Sequence, residues 1–291
     1  MNWTASVTLS EAGAKALAEV LGDDEDLAAH TVDAAETTPG RWRLMVYFPA
    51  EPNKAERAAL KRHAAEALGK DGPAFAFEAL ADADWVAMSL EGLTPVRVGR
   101  FVVHGSHDRA VARIGDIAIE IEAAQAFGTG HHGTTAGCLA AIDRLARTRR
   151  IHRALDVGTG SAVLAIAIAR LAKAPVLASD IDPVAVRIAA GNIRLNGVET
   201  LVRAICAAGV DDRRFAVAGG FDLIVANILA GPLVGLAPSI RRRLAPGGTI
   251  VLSGLLVHQA NRVVAAYRAQ GLRLVRSEVR EGWVTLTLTL R

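Results

Sequence analysis

Cysteine is scarce: Cys138 and Cys206 are the only two in 291 residues, too few for a disulfide framework or a cysteine-built metal cage. No uncharged apolar run is long enough to span a bilayer, which takes ~18 residues. The longest, Ala162 to Ala169, stops at Arg170. Met1-Asn2-Trp3-Thr4 is not a basic patch followed by an apolar stretch, so no signal peptide is expected. Internal repeats and low-complexity segments are absent too. Apolar residues make up 51% of the chain and charged residues 22%, enough for a sizeable core and wrong for a mainly disordered protein. The length favours two domains, on a prior of ~100–200 residues each. The expectation is a soluble, globular, cytoplasmic protein that does not enter a membrane.

Charge divides the chain. Residues 1–95 carry 16 acidic and 8 basic side chains, a net −8, and the remainder carries 14 acidic and 25 basic, a net +11. The acidic front half would repel phosphates, so direct nucleic-acid binding is not expected, and a basic, lysine-rich protein is the better-matched partner. A solvated surface with no partner explains the same charge.

In the front half, Trp3–Thr8 reads as a strand. Ser10 is a plausible N-cap for a helix striped by Ala14, Leu17 and Leu21. A weak strand near Ala28–Asp33 precedes Trp42–Phe48, where apolar and mixed positions alternate. A helix after Pro52-Asn53 and a strand at Phe75–Leu80 complete the order β-α-β-β-α-β of a ferredoxin-like sandwich. Arg100–Val103 and Ala110–Ile121 then alternate like strands. From about residue 150, strands at Ala154–Val157, Val176–Asp180, Leu201–Cys206, Asp222–Ala226 and Thr249–Ser253 alternate with helices near 161–172, 184–195, 231–243 and 257–270. That rhythm predicts a parallel sheet covered by helices on both faces. Trp283–Leu290 alternates Val/Leu with Thr, as an antiparallel strand near the sheet edge would.

The sharpest local signal is Asp156-Val157-Gly158-Thr159-Gly160-Ser161-Ala162, after a strand and opening a helix. Gly158 and Gly160 allow a tight turn and close approach of a ligand to the helix N-terminus. Asp180 follows about 20 positions later, where a carboxylate accepts hydrogen bonds from the two hydroxyls of a ribose. A dinucleotide site wants a third glycine, but Val163 stands there. Asp156 suits a positively charged ligand such as S-adenosylmethionine better than a pyrophosphate. A plain turn without a ligand is the bland alternative. Upstream, Ala126-Phe127-Gly128-Thr129-Gly130-His131-His132-Gly133-Thr134-Thr135 is a second glycine loop before a helix that Thr134 or Thr135 can cap. Adjacent histidines rarely bind one ion, so no metal is expected. Finally, Asn227 ends the strand Asp222–Ala226. In an open parallel sheet it lies over the same cleft as Gly158 and Asp180, its amide oxygen suited to a substrate amine. An ordinary helix cap is its other reading.

Together these motifs, with Asp180-Ile181-Asp182-Pro183 and Asn227-Ile228-Leu229-Ala230-Gly231-Pro232, resemble the PrmA family, bacterial methyltransferases of large-subunit ribosomal protein L-eleven. Asn192, Asn196-Gly197, Leu252-Ser253-Gly254-Leu255 with Gln259, and Glu281-x-Trp283 also match. The likeness is strong over 120–291 and weaker over 1–119, where Asp84-Trp85 agrees. It implies a Rossmann-like class I methyltransferase domain at 120–291, with a mixed seven-stranded α/β sheet. A ferredoxin-like α+β substrate-recognition domain at 1–83 precedes it, and 84–119 is the linker and the start of the catalytic region. By motif matching it implies S-adenosylmethionine contacts at Thr135, Gly158, Asp180 and Asn227, with Phe127, Gly128, Thr129, Gly130, Asp156 and Gly160 around them. His131 and Gly133 replace the family's threonine and proline, and Thr159 and Ala162 its cysteine and third glycine.

Methyl transfer to an amine is an in-line displacement, and the expected catalytic residue is Asn227, orienting the acceptor nitrogen. The expected acceptors are lysine side-chain or N-terminal amines of the ribosomal protein, and the expected state is a monomer. The rival readings are another methyl acceptor, a nicotinamide-dependent oxidoreductase, or an inactive cofactor-binding module.

Overall fold

A computed structural model describes residues 2–23, 31–38, 40–48, 50–69, 72–80, 95–121, 132–216 and 219–290. The chain divides into two units, Met1–Glu91 and Gly92–Arg291. Among the described residues no helix is long and apolar enough to cross a membrane.

The first unit runs β1 (Asn2–Leu9), α1 (Glu11–Asp23), β2 (Thr31–Thr38), β3 (Arg41–Phe48), α2 (Lys54–Leu68) and β4 (Ala76–Leu80). Its antiparallel sheet has the order β2-β3-β1-β4, the ferredoxin-like arrangement. Period-2 alternation sends Ala5, Val7, Leu44, Val46 and Phe48 inward, where they meet Leu17 and Leu21 of α1 and Leu60 and Ala64 of α2. Asn53 starts α2 with a capping box. Its Oδ1 accepts from the Ala55 and Glu56 N–H groups at 2.8 and 3.0 Å, and its own N–H donates to Glu56 Oε2 at 2.7 Å. β2 begins at Thr31, three residues later than Ala28.

The second unit opens with a three-stranded sheet, β5 (Val96–Val98), β6 (Phe101–His104) and β7 (Ile117–Glu120). Ala110–Ile121 is therefore not one strand. Ser106–Val111 is a 3-10 turn, and Asp116 builds a second turn ahead of β7, accepting the Arg113 N–H at 2.7 Å and the Arg97 guanidinium at 2.8 Å. Gly115, at φ +92°, makes that turn possible.

Then follow α3 (His132–Thr148), β8 (Ala154–Val157), α4 (Val163–Ala172), β9 (Val176–Asp180), α5 (Pro183–Leu195), β10 (Val202–Cys206), β11 (Phe221–Asn227), α6 (Ala230–Arg243), β12 (Leu244–Leu256), α7 (Ala260–Ala269), β13 (Leu272–Arg280) and β14 (Trp283–Leu290). The sheet order is β10-β9-β8-β11-β12-β14-β13, with β14 antiparallel to both neighbours and the pairs from β10 to β12 parallel. Val163–Ala169 of α4 is buried all round, which explains why this segment is the longest apolar run. β13 has no counterpart in the sequence reading. It is an edge strand, bulged at Val275 and largely exposed, with charges that mask its alternation.

Candidate active site

Strand order reverses at β8, whose two neighbours are β9 and β11. Connections leave in opposite directions there, which opens a crevice at the carboxyl ends of these strands. Three residues end the strands: Val157, followed by the glycine loop, then Asp180 and Asn227. The fold brings together what the sequence spreads over 158–227.

Gly158, Gly160 and Ala162 adopt φ of +68°, +53° and +65°. Ala162 carries the left-handed strain that a glycine would avoid. Ala162 at the N-cap of α4 makes no side-chain cap bond, and of the N-terminal N–H groups that begin at this loop Ala165 reaches the Asp156 carboxylate. Bonds from three directions hold the turn: Thr159 N–H to Ser179 O at 2.9 Å, Gly160 N–H to Asp180 Oδ2 at 2.9 Å, and Asn192 Nδ2 to Ser161 O at 3.0 Å.

The two carboxylates differ sharply. Asp156 is 1% exposed, and its Oδ2 accepts the Thr159 hydroxyl at 2.7 Å and the Ala165 N–H at 3.1 Å. Burial pushes its pKa up to about 7, the two hydrogen bonds oppose the shift, and the charge of Asp180 adds to it. These bonds place Asp156 beneath the loop, bracing it. Thr159, standing where the resemblance leads one to expect cysteine, supplies the hydroxyl for that brace. Asp180 is part-exposed at the end of β9. Oδ2 accepts from Gly160 and Oδ1 from the Asp182 N–H at 3.0 Å, so each oxygen keeps capacity for a further donor. Two such oxygens match a vicinal diol.

Asn227 faces the upstream segment. Its Nδ2 donates to Thr134 Oγ1 at 3.2 Å and to Thr135 Oγ1 at 3.4 Å, and Oδ1 has no protein partner among the described residues. Thr134 and Thr135 lie inside the first turn of α3 rather than at its N-cap, because the helix already begins at His132. Both are buried, and both hydroxyls are brought to Asn227. Phe127, Gly128, Thr129 and Gly130, with His131, Asp84 and Trp85, lie outside the described residues.

Close approaches that the motifs did not reveal fix Asn227. A Cβ on Gly158 would stand 2.2 Å from Ile228 Cγ2, and one on Gly254 would stand 2.4 Å from Ile228 O. Ile228 is thus wedged between two glycines immediately after Asn227. In α3, a Cβ on Gly137 would lie 2.0 Å from Thr285 Oγ1, so this glycine lets the helix settle on β14 and carries the threonines into place. Thr285 and Ser253 are joined at 3.2 Å.

Among the described residues no group of histidine, cysteine or acidic side chains can hold a metal ion. Cys138 is buried, its thiol pushed up to about 12 by burial and by the Asp156 charge, so it is no nucleophile. The residues present fit S-adenosylmethionine: a carboxylate with spare capacity for the ribose, a helix N-terminus whose N-cap Ala162 makes no side-chain cap bond, and a buried acid bracing the loop from beneath. Val163 is buried in the core at the position where a dinucleotide loop needs its third glycine.

The family described as ribosomal protein L11 methyltransferase (PrmA) matches residues 2–291. The ribosomal protein L11 methyltransferase of Rhizobium etli is 52% identical over 270 residues, 93% of this chain and 91% of that protein. Its counterpart in Rhizobium meliloti is 48% identical over 288 residues, 97% of each chain. The crystal structure of ribosomal protein L11 methylase from Lactobacillus delbrueckii subsp. bulgaricus superposes with a TM-score of 0.61 at 27% identity, covering 69% of this chain and 99% of that one.

Proposed function

The chain belongs to the ribosomal protein L11 methyltransferase (PrmA) family, and from that premise we propose that it methylates lysine side-chain or N-terminal amines of ribosomal protein L11. It is an S-adenosylmethionine-dependent methyltransferase with the Rossmann-like fold of that class. The observation that carries the reading is the convergence of Gly158, Asp180 and Asn227 at one switch point.

When bound, the cofactor supplies a methyl group already activated by the positive charge on its sulphur. Asp180 holds the ribose hydroxyls through the open sides of its two oxygens. The loop 158–162 and the N-terminus of α4 receive the rest of the molecule, with Thr135 alongside. Asn227 presents Oδ1 to an N–H of the acceptor, because Thr134 and Thr135 already take its amide hydrogens. A lysine amine, with a reference pKa of ~10.4, must give up a proton before it can attack, and solvent is the simplest acceptor. The remaining task is alignment, and well-oriented reactants gain ~7–11 kcal/mol from it.

The substrate is a basic protein and the front domain is acidic. Residues 1–95, at −8, dock the substrate by charge, and the second unit performs the chemistry. In this reading the domains are substrate recognition at 1–83, a linker and the start of the catalytic region at 84–119, and catalysis at 120–291. The front domain has no use for nucleic acid, a monomer suffices, and the reaction takes place in the cytoplasm, where ribosomal proteins are made. Incubation with methyl-labelled cofactor and separated ribosomal proteins tests the proposal. Label in one basic protein supports it; label in RNA, or none, refutes it.

A further inference from the structure

We propose that the edge of the second unit's sheet opposite the cleft is a docking surface for RNA, held through phosphates. Strand N-termini and helix C-termini gather on that edge in a parallel sheet covered by helices. Two runs there, 149–153 between α3 and β8 and 241–243 at the end of α6, supply six arginines and a histidine. Hydrogen bonds draw the runs together. Arg149 donates to Gly247 O at 3.1 Å and Thr249 Oγ1 at 2.8 Å, just beyond α6. Asp222 at the start of β11 accepts the His152 N–H at 2.7 Å and the Arg153 N–H at 3.1 Å.

Acidic side chains are outnumbered on this edge. Arg242 pairs with Asp211 at 2.7 Å, but Arg243 ends on the carbonyls of Val210 and Asp211, at 2.8 and 3.0 Å. Asp212 is taken by Arg214 at 2.8 Å. Asp211 and Asp222 thus put two carboxylates among six guanidinium groups. Cations complement a helix C-terminus, which accounts for one arginine at the end of α6. It does not account for three in a row, nor for 149–153, which lies outside any helix.

The chemistry favours a phosphate polymer. Arginine offers a planar fork that binds phosphate in bidentate fashion. No exposed large apolar side chain falls in either run, so nothing there would insert into a membrane. A cavity of about 240 Å³ is lined by Arg242 and Arg243 together with Phe215, Leu244 and Pro246. The case against nucleic acid rests on residues 1–95, whose charge is opposite. The choice of RNA over DNA rests on the ribosomal-protein reading above.

Anisotropy titration of the full chain with a labelled single-stranded RNA of about 20 nucleotides, from about 50 to 200 mM salt, tests this. Binding should weaken steeply with salt. The double variant Arg150→Glu with Arg241→Glu should bind about tenfold or more weakly, with a log–log salt slope flatter by about 0.7 for each phosphate no longer neutralised. Arg150→Glu alone, at an exposed position outside the helices, should move in the same direction. Both variants should methylate free L11 as the parent does. Absence of RNA binding, indifference to charge reversal, or equally tight binding of polyglutamate through the same residues would overturn the proposal. A failed methyltransferase reading shows itself separately, as RNA binding intact with no methyl transfer.

Discussion

Asp156 and Asp180 carry the same carboxyl group to different ends. Asp180 meets solvent and keeps lone pairs open, whereas Asp156 is sealed under the loop and bonds inward. Burial raises the folded pKa of Asp156 from 3.8 to about 7, so as pH rises the unfolded chain ionises first. Stability from this group is therefore greatest below the unfolded value, declines between the two values, and is constant above the folded one, a loss on the order of a few kcal/mol. Asp156→Asn keeps an oxygen for Thr159 and Ala165 and removes the charge. Urea unfolding of this variant should show a flatter stability profile over that interval than the parent; an unchanged profile would mean that Asp156 is not the group that titrates. Cys138, equally buried, is a packing residue on this account, and Cys138→Ser should leave turnover within about twofold while lowering stability by about 1 kcal/mol.

At the scale of elements, the site depends on backbone approach more than on side-chain chemistry. Gly158→Ala forces an alanine to φ +68° and drives its Cβ into Ile228. The expected cost is about 1–3 kcal/mol in thermal unfolding, together with lost turnover as Asn227 shifts. Adding Ile228→Ala should recover the steric part and leave the conformational part; additive losses would refute the wedge. These approaches also mark where reading the sequence stops. Ala154–Val157, Val176–Asp180 and Trp283–Leu290 were legible to the residue, because short apolar or alternating runs between turn residues have one reading. The bond from Asn227 to Thr134 was not, since it joins positions 93 residues apart and depends on Gly137 meeting Thr285 across α3 and β14. Edge strand β13 escaped because its charges break the period, and Ala110–Ile121 misled because Asp116 folds alternating residues into turns.

At the scale of the whole chain, charge splits into −8 over residues 1–95 and +11 over the remainder, and the proposed reading gives the protein substrate to the acidic part. Added salt should raise KM for the protein substrate several-fold between about 50 and 300 mM while cofactor affinity, set by local hydrogen bonds, changes little. Equal sensitivity of both would contradict electrostatic docking. The central claim is a division of labour, Asp180 gripping the cofactor and Asn227 aiming the amine. Its most direct test pairs calorimetric binding of S-adenosylmethionine with single-turnover methylation of L11, on Asp180→Ala and Asn227→Ala. The first substitution should weaken binding by about 1.5–3 kcal/mol. The second should slow transfer about a hundredfold with binding nearly intact. If both variants lose binding and turnover in equal measure, the two residues do not divide the work and the account fails.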